Sequence, residues 1–262
     1  MATARAAAPA TLLLLLLATL LPVQSAPGSI DGRVVGGVDA TKNQFPHQIS
    51  LRNNNSHSCG GSIVSRNFIL TAAHCVTNED ANGQFVAVAA NRLTVRSGSN
   101  DRFSGGVLSQ VVEVIFHEGF ANLRNDIALL RLAEPLIYSA SIQPISLPTE
   151  DTPADVDVII SGWGRLWHQG DPARYLQYNT LKSLSLEACD ELIGWGIPGE
   201  LCLIHAANNG ACNGDSGGPA MYNGQVVGIA GFVWSACGTS YPDGYTRVHY
   251  FNDWIRANSD VQ

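Results

Sequence analysis

The sequence predicts an all-β protein, a sandwich or barrel built from many short strands. Three observations point there. Alternating or β-branched runs recur along the chain, clusters of Gly, Pro, Asn and Asp separate them, and only one stretch reads well as a helix. In chain order the runs are SIVSRNFILTAA (62–73), QVVEVIFHE (110–118), DIALLRL (126–132), DVDVIISGWG (155–164) and QVVGIAGFVW (225–234). β-Branched side chains pack well on a pleated surface, and alternation directs one face inward. The helical stretch is FNDWIRAN (251–258), at the carboxy-terminal end. The chain carries no internal repeat, and no low-complexity tract beyond its first residues.

The 262 residues are 45% hydrophobic, with 26 glycines and 12 prolines, which suffices for one sizeable core or two small ones. The segment Met1–Leu21 stands apart. Arg5 is its only charge, no acid precedes Asp31, and TLLLLLLATLL is too short to span a bilayer. Small residues follow in VQSAP, so residues 1–25 read as a secretory signal peptide cleaved after Ser25. Cleavage after Ala26 is the poorer choice, since it leaves Pro27 first. Residues 26–33, APGSIDGR, form a short polar segment ending at Arg33, a plausible processing point before the apolar VVGG. No later segment is long and apolar enough to cross a membrane.

Secretion governs how the six cysteines are read. In an oxidising compartment Cys59, Cys75, Cys189, Cys202, Cys212 and Cys237 argue for three disulfides and against metal ligation. None has C-x-x-C spacing, and the seven histidines show no H-E-x-x-H pattern. A net charge of −7, with Lys42 and Lys182 the only lysines, leaves no footprint for nucleic acid. Asn54-Asn55-Ser56 is the single N-x-[ST] sequon, which makes Asn54 a glycosylation candidate.

Three stretches carry chemistry when taken together. His74 ends an apolar run in LTAAHC, Asp126 leads one in NDIALL, and Ser216 stands between an acid and two glycines in CNGDSGGP. Singly, each has an ordinary structural reading: a packed histidine, a strand-capping acid, a glycine-rich turn. Together they supply a nucleophile, a base and an orienting carboxylate. Glycines beside Ser216 let backbone N–H groups converge on a reacting atom that side chains would shield. Farther on, SYPDGYTRV (240–248) places Asp243 in a P-D-G turn, where an acid usually faces water.

From Arg33 to the terminal helix the sequence resembles zymogens of the trypsin/chymotrypsin-type serine proteases. VVGG, CGGSIV, TAAHC, NDIALL, SGWG, GDSGGP and YTRV carry the likeness. The resemblance implies a protease domain over 34–262, with two six-stranded antiparallel β-barrels and a C-terminal α-helix. Barrel one covers about 49–140, barrel two about 145–250, and the active site lies in the cleft between them. It implies a catalytic His74, Asp126 and Ser216, an oxyanion hole from the N–H groups of Gly214 and Ser216, and pairings Cys59–Cys75, Cys189–Cys202 and Cys212–Cys237. It also implies that a trypsin-like protease cuts Arg33–Val34 and that the new amino group of Val34 inserts beside Asp215. Protein or peptide substrates, protein protease inhibitors, a monomeric state and the absence of any cofactor follow from the same likeness.

Three positions depart from the family pattern. Gly231 stands where most members have a serine that supports the triad aspartate, and Asn213 is not the commonest residue before Gly214. The loop after His74 lacks the paired glutamates that hold calcium in some relatives, so no metal is expected. The implied specificity pocket comprises Gly210, Ala211, Asn213, Gly231, Phe232, Val233 and Asp243. Trypsins carry aspartate where this chain has Gly210. With Val233 on one wall and Asp243 behind, the set resembles neutrophil-granule elastase and favours small or medium apolar residues at the cleavage site. The alternative is a chymotrypsin-like or broad specificity, as in arthropod digestive enzymes; crab collagenolytic enzymes share the Gly/Asp pair. A non-catalytic homologue acting as a binding module is a remote reading, since His74, Asp126 and Ser216 are all kept.

Overall fold

The computed structural model describes residues 1–2 and 34–262. The expected propeptide with Arg33, and nearly all of the expected signal peptide, lie outside the described residues. In chain order the strands are β1 (Val38–Asp39), β2 (Gln48–Asn53), β3 (Ser56–Ile63), β4 (Phe68–Thr71), β5 (Thr77–Glu79), β6 (Phe85–Ala87), β7 (Leu93–Ser97) and β8 (Val107–Phe116). Then come β9 (Ala128–Leu132), β10 (Asp157–Gly162), β11 (Gln177–Ser183), β12 (Glu200–Ile204), β13 (Pro219–Tyr222), β14 (Gln225–Val233) and β15 (Asp243–Arg247). Two α-helices, α1 (Leu186–Ile193) and α2 (Asn252–Ala257), complete the set.

Strands β2-β3-β4-β9-β8-β7 close into a first barrel. Strands β11-β10-β13-β14-β15-β12 form a second, closed where Lys182 and Ser183 pair with Ile204 and Leu203. All these pairings are antiparallel, as the family resemblance implied. The short β1 adds to β11, so the segment that follows Val34 is held by the second barrel. Ile49, Leu51, Ile69, Leu93, Val95 and Leu130 fill the first core. Val158, Ile160, Leu181, Leu201, Leu203 and Val227 fill the second. Each such side chain contributes about 1.5–3 kcal/mol when fully buried.

Local chemistry explains where the pattern breaks. The run 62–73 is two strands, because the Ser65 hydroxyl accepts from the amides of Asn67 and Phe68 at 3.1 and 3.0 Å and turns the chain. Helix α1, absent from the strand-dominated reading, is capped at both ends. Ser185 Oγ accepts from Ala188 N at 3.1 Å, and Gly194 closes it with φ 68°. Helix α2 falls within the expected 251–258. All three expected disulfides are formed, Cys59–Cys75, Cys189–Cys202 and Cys212–Cys237. Asn54 is exposed at the tip of the β2–β3 hairpin.

The barrels meet along a seam of polar contacts. Gly60 N donates to Ser216 O at 2.7 Å, Ser161 Oγ to Gln48 Oε1 at 2.7 Å, and Thr246 Oγ1 to Asp126 O at 2.8 Å. Gly60 is required by proximity: a Cβ there would lie 2.8 Å from Gly218 Cα, and backbone cannot step aside cheaply. Gly60→Ala is therefore expected to destabilise the protein by about 1–3 kcal/mol, which lowers Tm by several degrees in thermal denaturation.

Candidate active site

His74 sits in a single 3₁₀ turn, Ala73–Cys75, directly after β4. The bond from Cys75 to Cys59 in β3 ties that turn to the barrel wall. Asp126 precedes β9 and is 1% exposed. Its Oδ1 accepts from His74 N at 2.8 Å and its Oδ2 from His74 Nδ1 at 2.6 Å. This two-point grip fixes the ring and places a proton on Nδ1, so Nε2 of the neutral ring keeps a lone pair. Cys59, His74 and Cys75 converge as metal ligands do, but the disulfide consumes both sulfurs.

Ser216 lies in the loop that leads into β13 of the second barrel. Its neighbour Gly217 packs so closely on Thr71 and Ala72 that a Cβ would collide with the Thr71 hydroxyl. The nucleophile candidate is thereby set beside the turn that bears His74. No hydrogen bond joins Ser216 Oγ to His74 here; Nε2 lies 3.7 Å from Cys75 Sγ. Catalytic hydrogen bonds in unliganded sites are often loose and tighten only with substrate bound.

The backbone of this loop is nearly saturated. Asp215 N donates to Cys212 O, Gly217 N to Ala230 O and Gly218 N to Asp215 O, at 2.7–2.9 Å. Among the described residues only the amides of Gly214 and Ser216 in this run of five find no protein acceptor. Gly214 has φ 101°, a conformation other residues rarely adopt. Its carbonyl accepts from His57 Nε2 at 3.1 Å, and His57 Nδ1 accepts from the Ser50 hydroxyl at 2.8 Å. Burial pushes His57 down to about 4, so it holds that carbonyl as a neutral ring at physiological pH. Sequence reasoning missed His57, because the carbonyl that gives it a role lies 157 residues away.

Asp215, beside the nucleophile candidate, is 4% exposed. Its carboxylate accepts from Gly164 N at 2.7 Å and Cys212 N at 3.0 Å, and no cation pairs with it among the described residues. Burial raises it to about 7, against the pull of these two amides. Val34 is fully buried in the second barrel's core with Val158 and Ile160.

A cavity of about 210 Å³ opens next to Ser216, lined among others by Ala211, Asn213, Gly231, Phe232 and Val233. Five of the seven expected pocket residues are thus brought together. Gly231 falls at a bulge between Ala230 and Phe232, and a Cβ there would stand 3.8 Å from Asp126 Oδ2. A serine at 231 has its hydroxyl within reach of that carboxylate, and this chain forgoes the contact. Gly210 and Asp243 lie behind the lining. Asp243 is 3% exposed, and its Oδ2 accepts from Ala211 N at 2.7 Å and meets His205 Nε2 at 3.2 Å. The P-D-G turn read from the sequence is thus the start of β15, and its acid is buried. His205 was not singled out in the sequence; only its place after the strand run ELCLI marks it.

Residues 34–255 match the protein family described as Trypsin. The chain is 45% identical over 225 residues to "Serine protease SP24D" of Anopheles gambiae, covering 86% of this chain and 80% of that protein. It is 39% identical over 237 residues to "Trypsin alpha" of Drosophila melanogaster, covering 88% of this chain and 89% of that one. Among solved structures it is similar to human heparin binding protein, with TM-score 0.73 and 27% identity, covering 85% of this chain and 95% of the other.

The raised carboxyl of Asp215 has a measurable consequence in the uncleaved chain. Between pH 4 and 7 the folded state holds a proton that the unfolded state releases, so this group's share of stability falls as pH rises, by on the order of 4 kcal/mol. Because buried His47, His57 and Glu200 titrate over the same range, this slope is read as the difference between wild type and Asp215→Asn in urea unfolding of the uncleaved protein at pH 5 and 7.5. Asp215→Asn is expected to flatten it, leaving the variant more stable relative to wild type at pH 7.5 than at pH 5.

Proposed function

Since the chain belongs to the trypsin family of serine proteases, we propose that it is a secreted serine endopeptidase made as an inactive precursor. The observation that carries this reading is the two-point bond of Asp126 to His74, set beside Ser216 with the free amides of Gly214 and Ser216. His74 Nε2 takes the Ser216 proton as the hydroxyl attacks the peptide carbonyl. Asp126 stabilises the imidazolium that results. The two free amides bind the oxyanion, a contribution typically worth about 3–4 kcal/mol per donor. The imidazolium then protonates the leaving amine, and water releases the acyl group by the same route.

In this reading residues 1–25 are a signal peptide, 26–33 a propeptide and 34–262 the protease domain. A trypsin-like protease cuts Arg33–Val34, and the freed amino group of Val34 supplies the cation that Asp215 lacks. A free α-amine titrates near pH ~7.7–8.0, and pairing with a buried carboxylate raises that value. Activity therefore persists into mildly alkaline pH and is lost as the amine deprotonates above it. Protein inhibitors and a monomeric state are part of the same proposal, as is glycan attachment at Asn54.

The pocket favours small or medium apolar residues at P1, the residue preceding the cut. Val233 narrows the wall, Gly210 provides no carboxylate, and Asp243 is buried and held by the Ala211 amide. A chymotrypsin-like or broad digestive specificity is the second reading, because apolar pockets discriminate by only about 1–3 kcal/mol per methylene. A binding role without catalysis is disfavoured. One solved relative is named for heparin binding, but a net charge of −7 with two lysines offers a polyanion little.

Substitution tests the proposal directly. Ser216→Ala is expected to lower kcat by about 10⁶-fold while the cleaved protein stays folded. An uncleavable Arg33→Gln precursor is expected to be inactive in the same peptidase assay. Full activity in the first variant ends the catalytic assignment, and full activity in the second ends the activation scheme.

A further inference from the structure

We propose that His205 is a specificity-determining residue, which cancels the charge of Asp243 behind the pocket and so keeps basic P1 side chains out. This rests on the reading of the cavity beside Ser216 as an apolar P1 pocket.

Pairing of Leu203 with Asp243 brings the end of β12 against the start of β15. His205, two residues beyond Leu203, thereby reaches the carboxylate. Both side chains are sealed from solvent, His205 at 2% and Asp243 at 4% exposure. His205 Nδ1 donates to Ala206 O at 3.0 Å, which leaves Nε2 facing Asp243 Oδ2 at 3.2 Å. That contact has the distance of an ion pair without the alignment of a hydrogen bond, and Nε2 has no other polar partner. A bare lone pair 3.2 Å from a buried carboxylate is repulsive, so one of the two groups holds a proton. Whether it sits on the ring or on the acid, the pair carries no net charge.

Other groups do not alter this balance. Asp215 and Tyr245 are the further titratable side chains that act on Asp243 or are acted on by it, and neither is a cation. Burial raises Asp243, opposed by His205 and by the Ala211 amide. Burial opposes a charge on His205, but the contact with Asp243 outweighs it and raises the imidazole. Both directions agree with a proton held by the pair.

Space tells the same story as charge. A Cβ on Gly210 would collide with Asp243 Oδ2 and with His205 Nε2. The pair thus fills the room that a side chain at 210 would need. A guanidinium or ammonium entering the pocket meets no net negative charge, and a buried unpaired cation is strongly disfavoured. An apolar side chain loses nothing by this. Deleting the imidazole while keeping polarity leaves Asp243 free to ionise against a bound cation, through the wall formed by Ala211.

The test uses cleaved wild type, His205→Gln, Asp243→Asn and the double variant, each normalised by active-site titration. The ratio of kcat/KM for Arg over Leu at P1 is measured on matched peptide anilides, together with the affinity for benzamidine, a cation that needs no turnover. Wild type is expected to favour Leu. His205→Gln is expected to raise the ratio about tenfold, mainly through KM, and to tighten benzamidine by a similar factor. Asp243→Asn and the double variant are expected to show no gain, since the charge released by the first change is gone. If His205→Gln does not fold, His205→Asn carries the same expectation. A ratio and a benzamidine affinity within twofold of wild type, or a gain that survives in the double variant, overturns the role of His205. A wild type that prefers Arg overturns the apolar-pocket reading instead. Should no form cleave peptides, the benzamidine comparison alone decides the matter of His205.

Discussion

Across the junction of the two barrels the Gly60 amide donates to the Ser216 carbonyl at 2.7 Å. A backbone-to-backbone contact of this kind needs both chains stripped of intervening side chains, which explains the glycines that line it. Gly60 meets Gly218, and Gly217 meets Thr71 and Ala72. Because Thr71 and Ala72 lead straight into the turn that bears His74, the same contact sets the serine loop against the histidine turn. The Asp126 carbonyl is tied to the second barrel through Thr246. Residues from opposite sides of the cleft are therefore positioned by hydrogen bonds between rigid walls, not by the loops alone.

Three buried carboxylates illustrate how one protein handles the cost of taking a charge out of water. Asp126 gives both oxygens to the backbone and ring of one histidine. Asp215 relies on two backbone amides, which do not fully compensate, and its carboxyl is raised to about 7. Asp243 faces His205 Nε2 at 3.2 Å and takes one amide. The first solution fixes the His74 ring, the second leaves a carboxyl protonated up to about pH 7, and the third, as proposed, neutralises the region behind a pocket. These consequences follow from the partner supplied, since the carboxylate is the same in each.

Much of this was legible along the chain. Strand runs such as DIALLRL and QVVGIAGFVW announce themselves by β-branched and alternating residues, and β9 and β14 lie within them. Helix α1 was within reach too, through Ser185 at its start and Gly194 at its end, but its short amphipathic run is masked by strand-rich surroundings. His74, Asp126 and Ser216 each have an ordinary reading singly, and it is their occurrence together that marks them. His57 and His205 have no such mark: each is one histidine among seven, and each acquires a role only from a distant carbonyl or carboxylate.

By itself the sequence determined the strand-rich fold, the cysteine pairing implied by family likeness, and three candidates for nucleophilic chemistry. Strands are written in side-chain periodicity and the three candidate residues in short motifs, whereas the cysteine pairing came only with the family likeness. Only the tertiary structure decided that Asp243 is buried against the Ala211 amide and that His205 meets it there. That outcome depends on the register of β12 against β15, which brings Leu203 opposite Asp243. A shift of one residue in that pairing would point the carboxylate to the opposite face of the sheet, and no local pattern around Pro242 or Gly244 specifies it.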